Sequence, residues 1–221
     1  TLPARRLFSI IRELPSEELT LDVDSKLSAT MRCGSAVFKI MGMPSEEFPE
    51  IPEFPAKTSE KNPIYKIEQK ALKELLKRVS YAMSADEKRY VLNGLLLCLK
   101  DGKLTIVATD GRRLALTDQE LDFPKSGERE FILPAKAVLE LQRLLGDKED
   151  VSFALLENQI LFSFGNTEIA AKMVEGNYPN YRQVIPADAK ERVTLERELF
   201  LNSVRRVALL SSEKSNSVKL T

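Results

Sequence analysis

The feature that most constrains this chain is that it repeats itself over a long distance. Leu2-Pro3-Ala4-Arg5 returns as Leu133-Pro134-Ala135-Lys136, about 130 residues further on. Behind each copy runs an amphipathic helix with two outward cations at the same seven-residue spacing, Arg5 with Arg12 and Lys136 with Arg143. Phe48-Pro49 and Tyr178-Pro179 close the two units, and a second helix pair also aligns, Leu72 with Phe200 and Lys77-Arg78 with Arg205-Arg206. A period this long describes a duplicated domain, because solenoid repeats run to about 20–50 residues. A fold that accommodates it must be built from similar modules.

Within one period the pattern halves again. The 3.6-residue period predicts helices over 3–14, 68–82, 134–145 and 196–210. Their apolar faces are Leu7, Ile10, Ile11 and Leu14, then Leu72, Leu75, Leu76 and Val79, then Ala137, Val138, Leu141, Leu144 and Leu145. Short alternating runs after each helix predict strands: 21–23, 28–33 and 36–41, with Gly34-Ser35 as a turn, then 64–67, then 151–155, 159–164 and 168–174. Residues 92–116 read as a three-strand meander with turns at Asp101-Gly102 and Asp110-Gly111, each a strong two-residue hairpin signal. The second turn is unusual in leading straight into Arg112 and Arg113 between apolar flanks. Five prolines between Met43 and Pro63 exclude regular structure there and mark a linker. The expected organisation is an α+β chain of strand-helix-three-strand halves, with two helices per unit packed on antiparallel sheets. It holds a partial domain over 1–60, a complete one over 61–190 and the start of a third over 191–221. The first residues, Thr1-Leu2 without Met, and the run 217–221 at the other end read as cuts through a longer chain.

Composition narrows the chemistry. The chain lacks His, which removes His-based triads and imidazole metal ligands. Cys33 and Cys98 lie singly in apolar runs, as buried small hydrophobes of a reducing compartment, with neither a disulfide framework nor a zinc site. No phosphate loop or metal-ligand cluster is present, so neither a cofactor nor a metal is expected. A hydrolase built on Asp110 with Asp101 or Asp118 is disfavoured, because Asp in a tight turn serves local backbone hydrogen bonds. No apolar run reaches the ~18 residues of a membrane span. Thirty-three basic residues balance 33 acidic ones. That balance disfavours an open nucleic-acid groove but permits a one-sided distribution, with cations on helix faces and acids at loops such as Asp147-Lys148-Glu149-Asp150. Solvated helix faces and a basic wall that holds phosphates without reading bases both fit this pattern.

Three motifs go further. Arg89-Tyr90-Val91-Leu92-Asn93-Gly94, Ala108-Thr109-Asp110-Gly111-Arg112-Arg113-Leu114-Ala115 and Tyr178-Pro179-Asn180-Tyr181 stand in order, supported by Leu209-Leu210-Ser211-Ser212-Glu213-Lys214. With them the whole chain resembles the β subunit of bacterial DNA polymerase III, the sliding-clamp family. The resemblance implies a non-catalytic cytoplasmic processivity factor. Its three-domain protomers form a head-to-tail homodimer, a ring of six similar domains around duplex DNA.

The resemblance also assigns residues. A hydrophobic cleft for short peptide motifs of the polymerase, the clamp loader and other partners would be lined by Arg89, Leu92, Thr109, Gly111, Arg112, Arg113, Leu114, Pro179, Gln183 and Val184. Arg112 stands where members often carry His, and Gln183 where they often carry Arg. Arg5, Arg12, Lys73, Lys77, Lys136, Arg143 and Arg205 would face DNA. Leu209 and Leu210 would meet an edge strand of the partner protomer near its own residues 36–40. The alternative is a peptide-binding module without its own DNA role.

Overall fold

In the computed structural model the described residues are 1–15, 18–48, 50–59, 62–121, 128–186, 191–211 and 217–220. They form two units, Thr1–Gly176 and Asn177–Thr221. Pro49 and residues 212–214 of the quoted motifs lie outside the described residues.

The first unit begins with α1 (Ala4–Arg12) and a three-stranded antiparallel sheet of β1 (Thr20–Val23), β2 (Ser28–Cys33) and β3 (Ala36–Met41). It continues with β4 (Ile64–Glu68), α2 (Gln69–Ser80), β5 (Gly94–Lys100), β6 (Lys103–Thr109) and β7 (Leu114–Glu120). A second run of the same order follows: β8 (Arg129–Pro134), α3 (Ala135–Leu144), β9 (Asp150–Leu155), β10 (Gln159–Phe164) and β11 (Thr167–Lys172).

The strand-helix-three-strand half is therefore present twice, and the two halves exchange their leading strands. The sheet orders are β7-β6-β5-β8 and β11-β10-β9-β4. Each meander is extended at its inner edge by the first strand of the other half, β8 on β5 and β4 on β9, all antiparallel. This exchange covers two edges that would otherwise be open. It also ties each helix to both sheets, since α2 follows β4 of one sheet directly and leads into β5 of the other.

One core joins the halves. Leu72, Leu75, Leu76 and Val79 of α2 and Ala137, Val138 and Leu141 of α3 are buried with Leu95, Leu97 and Leu99 of β5 and with Phe153 and Phe162. Tyr65 stacks on Phe153 at 5.0 Å between ring centroids, and Phe162 lies 5.9 Å from Phe153. The helices are also tied by polar side chains. Gln69 Oε1 accepts from the Gly146 amide at 2.8 Å, and Gln142 Nε2 donates to Ser80 Oγ at 2.9 Å.

Several expectations need correction. Leu144, placed on the apolar face of α3, is exposed, while Leu145 just beyond the helix is buried. No residue of α1 is buried, and Ile11 is exposed although it belongs to the apolar stripe, with Phe8 exposed beside it. Periodicity reports which face is apolar, while burial requires a partner surface as well. The Asp110-Gly111 turn is also larger than a two-residue hairpin. Thr109 pairs with Leu114, leaving a four-residue loop, whereas Lys100 pairs with Lys103 across a true two-residue turn at Asp101-Gly102.

The second unit holds a single turn of 3-10 helix, Tyr181–Gln183, and α4 (Arg197–Ala208). Glu196 caps α4, its carboxylate accepting from the amides of Glu198 and Leu199.

Candidate binding surfaces

The loop between β6 and β7 is built by Asp110. Its Oδ1 accepts the amides of Arg112 at 2.9 Å and Arg113 at 3.1 Å, and its Oδ2 accepts Arg113 Nε at 3.2 Å. Thr109 Oγ1 closes the base, accepting the Gly111 amide at 3.1 Å and donating to the Arg113 carbonyl at 2.7 Å. Gly111 takes φ +86, a left-handed conformation that suits glycine. The Arg112 and Arg113 amides hold the Asp110 carboxyl below the ordinary carboxylate range, with the Arg113 charge adding to the effect. The backbone bonds to Asp110 are those expected of Asp in a turn, whereas the two-residue hairpin reading missed the larger loop that they build.

Arg89 lies against this loop. Its Nη1 donates to the Asp110 carbonyl at 3.3 Å, and its Nε is 3.9 Å from Asp86 Oδ2. The guanidinium of Arg113 lies 5.5 Å from the centre of the exposed Tyr81 ring, a cation–π arrangement. Leu92 and Leu114 are half-buried beside these charges in sequence. Gly94 ends the Arg89 motif because a Cβ there would stand 2.5 Å from the Leu133 carbonyl, which the β5–β8 pairing brings close.

Thus Arg89, Thr109, Gly111, Arg112 and Arg113 come together through described bonds, with Leu92 and Leu114 on the adjoining segments. Tyr81 joins them, a residue no sequence signal pointed to. Pro179, Gln183 and Val184 belong to the second unit, where all three are exposed.

The seven cations assigned to helix faces have different surroundings. Lys77, Lys136, Arg5 and Arg205 are exposed. Arg12 pairs with Glu13 at 3.3 Å, and Arg143 with Glu140 at 2.7 Å. Lys73 is half-buried, and its ammonium donates to the Leu145 carbonyl at 2.8 Å, closing the C-terminal end of α3. Leu209 and Leu210, just past α4, are 83% and 93% exposed.

Both cysteines are free and buried. Cys98 lies beside Glu128 and Glu130, whose ligand atoms fall within 4.8 Å of its sulfur and of one another. Burial first, then these two carboxylates, push its thiol up to about 11, so it is protonated at neutral pH. Glu128 is paired with Lys100 at 2.8 Å.

Comparison with known proteins agrees with this architecture. Residues 66–180 match the model of the DNA polymerase III beta subunit, central domain, and residues 1–52 that of its N-terminal domain. The whole chain aligns with the beta sliding clamp of Chlamydia muridarum at 33% identity, spanning 59% of that protein. A crystal structure of the DNA polymerase III subunit beta from Pseudomonas aeruginosa superposes with a TM-score of 0.79 at 32% identity, over 96% of this chain and 58% of that one. Another, of a Pseudomonas aeruginosa sliding clamp bound to griselimycin, gives 0.76 at 32% identity, over 97% and 57%. The chain thus spans somewhat over half the length of these relatives. Its strand-exchanged central domain, matched over residues 66–180, makes it a member of the DNA polymerase III beta-subunit family.

Proposed function

We propose that this chain is part of a ring-forming sliding clamp, the processivity factor of bacterial DNA replication, acting in the cytoplasm and without catalytic residues of its own. Residues 1–60 would contribute half of the first domain, 61–190 the second and 191–221 the start of the third. The observation that carries the reading is the strand-exchanged domain, whose paired helices α2 and α3 expose Lys77 and Lys136. Their repeat counterparts, Arg205 and Arg5, are exposed as well. A homodimeric ring of such domains holds duplex DNA topologically, so weak phosphate contacts from these helices suffice and leave it free to slide. Among the described residues no helix is long and apolar enough to cross a membrane.

Polymerase, clamp-loader and other partner proteins are taken to dock short extended peptides beside the Asp110–Arg113 loop. Leu92 and Leu114 would supply apolar floor and the arginines polar positioning. Leu209 and Leu210 are the proposed subunit contact. In the full-length protein, Leu114→Asp should abolish binding of a fluorescein-labelled peptide with Leu and Phe anchors, read by fluorescence polarisation. Undiminished binding would sink the cleft assignment.

The balanced charge of the chain favours one second reading, a peptide-binding module with no DNA role. Charge reversal at Lys77, Lys136 and Arg205 discriminates. A clamp loses loading onto nicked circular DNA and processivity, whereas the module keeps its peptide affinity and loads in no form.

A further inference from the structure

A single exposed leucine on a helix needs no explanation, because apolar atoms make up much of any protein surface. Leu139 of α3 differs in its setting. It is 58% exposed, on the face turned away from the buried Ala137, Val138 and Leu141. Lys136 stands one turn before it and Arg143 one turn after it, so the three side chains share one stripe. Glu140 holds Arg143 at 2.7 Å, whereas Lys136 is exposed and has no ion-pair partner among the described residues. The same setting occurs in α1, about 130 residues earlier. There Phe8 is 66% exposed between Arg5 and Arg12 at the same spacings, with Arg12 held by Glu13 at 3.3 Å and Arg5 exposed. Both copies thus place a large apolar side chain between an exposed cation and a neutralised one. On α2, by contrast, the exposed positions are all charged: Lys70, Glu74, Lys77 and Arg78.

Resting on the reading of the chain as part of a clamp around duplex DNA, we infer that Leu139, with Phe8 as its repeat counterpart, is an apolar contact to the deoxyribose of the duplex backbone. That backbone alternates phosphates with sugars whose C–H groups are apolar. Lys136 meets a phosphate, and Leu139, one turn along the helix, covers the neighbouring sugar. Such a contact is non-directional and scales with the area covered, so it reads no base and passes from one sugar to the next. It releases no counterions, and added salt leaves it in place, unlike the attraction of Lys136.

The test is equilibrium binding of the full-length protein to a short fluorescein-labelled linear duplex, onto whose open ends a closed ring can thread, followed across a salt series. Leu139→Ala should weaken binding about two- to five-fold. That factor should persist as salt rises, with the slope of log affinity against log salt unchanged. Leu139→Lys sets a cation at the same place and should steepen the slope by up to about 0.9 for each copy that reaches a phosphate. Both changes alter an exposed side chain, and matching melting curves by circular dichroism establish that the fold is kept. Wild-type affinity in Leu139→Ala, a loss that vanishes with added salt, or an unchanged slope in Leu139→Lys overturns the sugar contact. Lys77→Met separates that failure from failure of the clamp reading, because its slope falls whenever the helices meet DNA. Binding of no duplex at any salt overturns the clamp reading and this inference with it.

Discussion

Lys73 offers the sharpest test of which helix cations belong to the fold and which to DNA. Its ammonium donates to the Leu145 carbonyl at 2.8 Å from a half-buried position, across the end of α3. Replacing it with Met keeps the apolar stem and removes only the charged donor. A hydrogen bond from a charged group contributes about 1.5–3 kcal/mol, and partial exposure lowers that figure to about 1–2 kcal/mol here. For a domain of this size such a loss corresponds to a melting temperature roughly 3–10 °C lower. Lys77→Met, on the same helix but exposed and with no such acceptor, should stay within about 0.5 kcal/mol of wild type. Guanidinium denaturation of the two variants measures the difference directly. The second half of the assay is the salt dependence of loading of the full-length clamp onto nicked circular DNA, a step that phosphate contacts assist before the ring closes. Lys77→Met should lower the slope by up to about 0.9, the share of one phosphate contact, and Lys73→Met should leave it alone. The repeat points the same way, since Lys77 recurs as Arg205 while the position matching Lys73 is Leu201. Equal midpoints for the two variants, or a lowered slope in Lys73→Met without lost stability, would refute the reasoning.

Other outcomes follow from the same geometry. Phe153→Ala removes the ring between Tyr65 and Phe162 and should cost about 3–5 kcal/mol, measured by denaturant unfolding of the central domain. Gly94→Ala drives a Cβ to 2.5 Å from the Leu133 carbonyl, so the β5–β8 edge must separate. Hydrogen exchange of the strand amides over 129–133 should speed up while those of β10 remain protected, and uniform protection would count against the close approach. Asp110 is held below its ordinary value by the Arg112 and Arg113 amides, so its bonds are fully present above about pH 4 and disappear as pH falls through the depressed value. The Arg112 and Arg113 amide resonances should therefore be flat from neutral pH to about pH 5 and move only below the usual Asp range. A midpoint above about pH 5 would contradict the loop geometry.

The repeat, the helix faces and most strands were legible because they rest on local periodicity, and α2 shows this well. Leu72, Leu75, Leu76 and Val79 stand out in the sequence and are all buried. The exchange of β4 and β8 between halves was not legible, since a leading strand carries no mark of which meander it joins. Similarly, Leu144 and Leu145 are adjacent and equally apolar, and only the end of α3 decides which one turns inward. The motif around Asp110 was visible, but its larger loop was not. The Asp-Gly signal speaks for a two-residue turn, and three bonds to one carboxylate outweigh it. Tyr81 lies about 30 residues from Arg113, and their approach depends on α2 and the meander packing together.

The zero net charge, which first counted against nucleic acid, takes a different meaning under the proposed function. A protein that holds DNA by attraction alone needs a strongly basic groove, and every added phosphate contact deepens the wells that resist movement. A closed ring has no such need, because its hold does not depend on binding energy. Of the seven helix cations, Arg12 and Arg143 are matched by neighbouring carboxylates and Lys73 is committed to a carbonyl. Lys77, Lys136, Arg5 and Arg205 are exposed, and under the proposed function they would be left to meet phosphate. On the proposed function this thin charge is what sliding requires: enough to keep the duplex centred, too little to stop it.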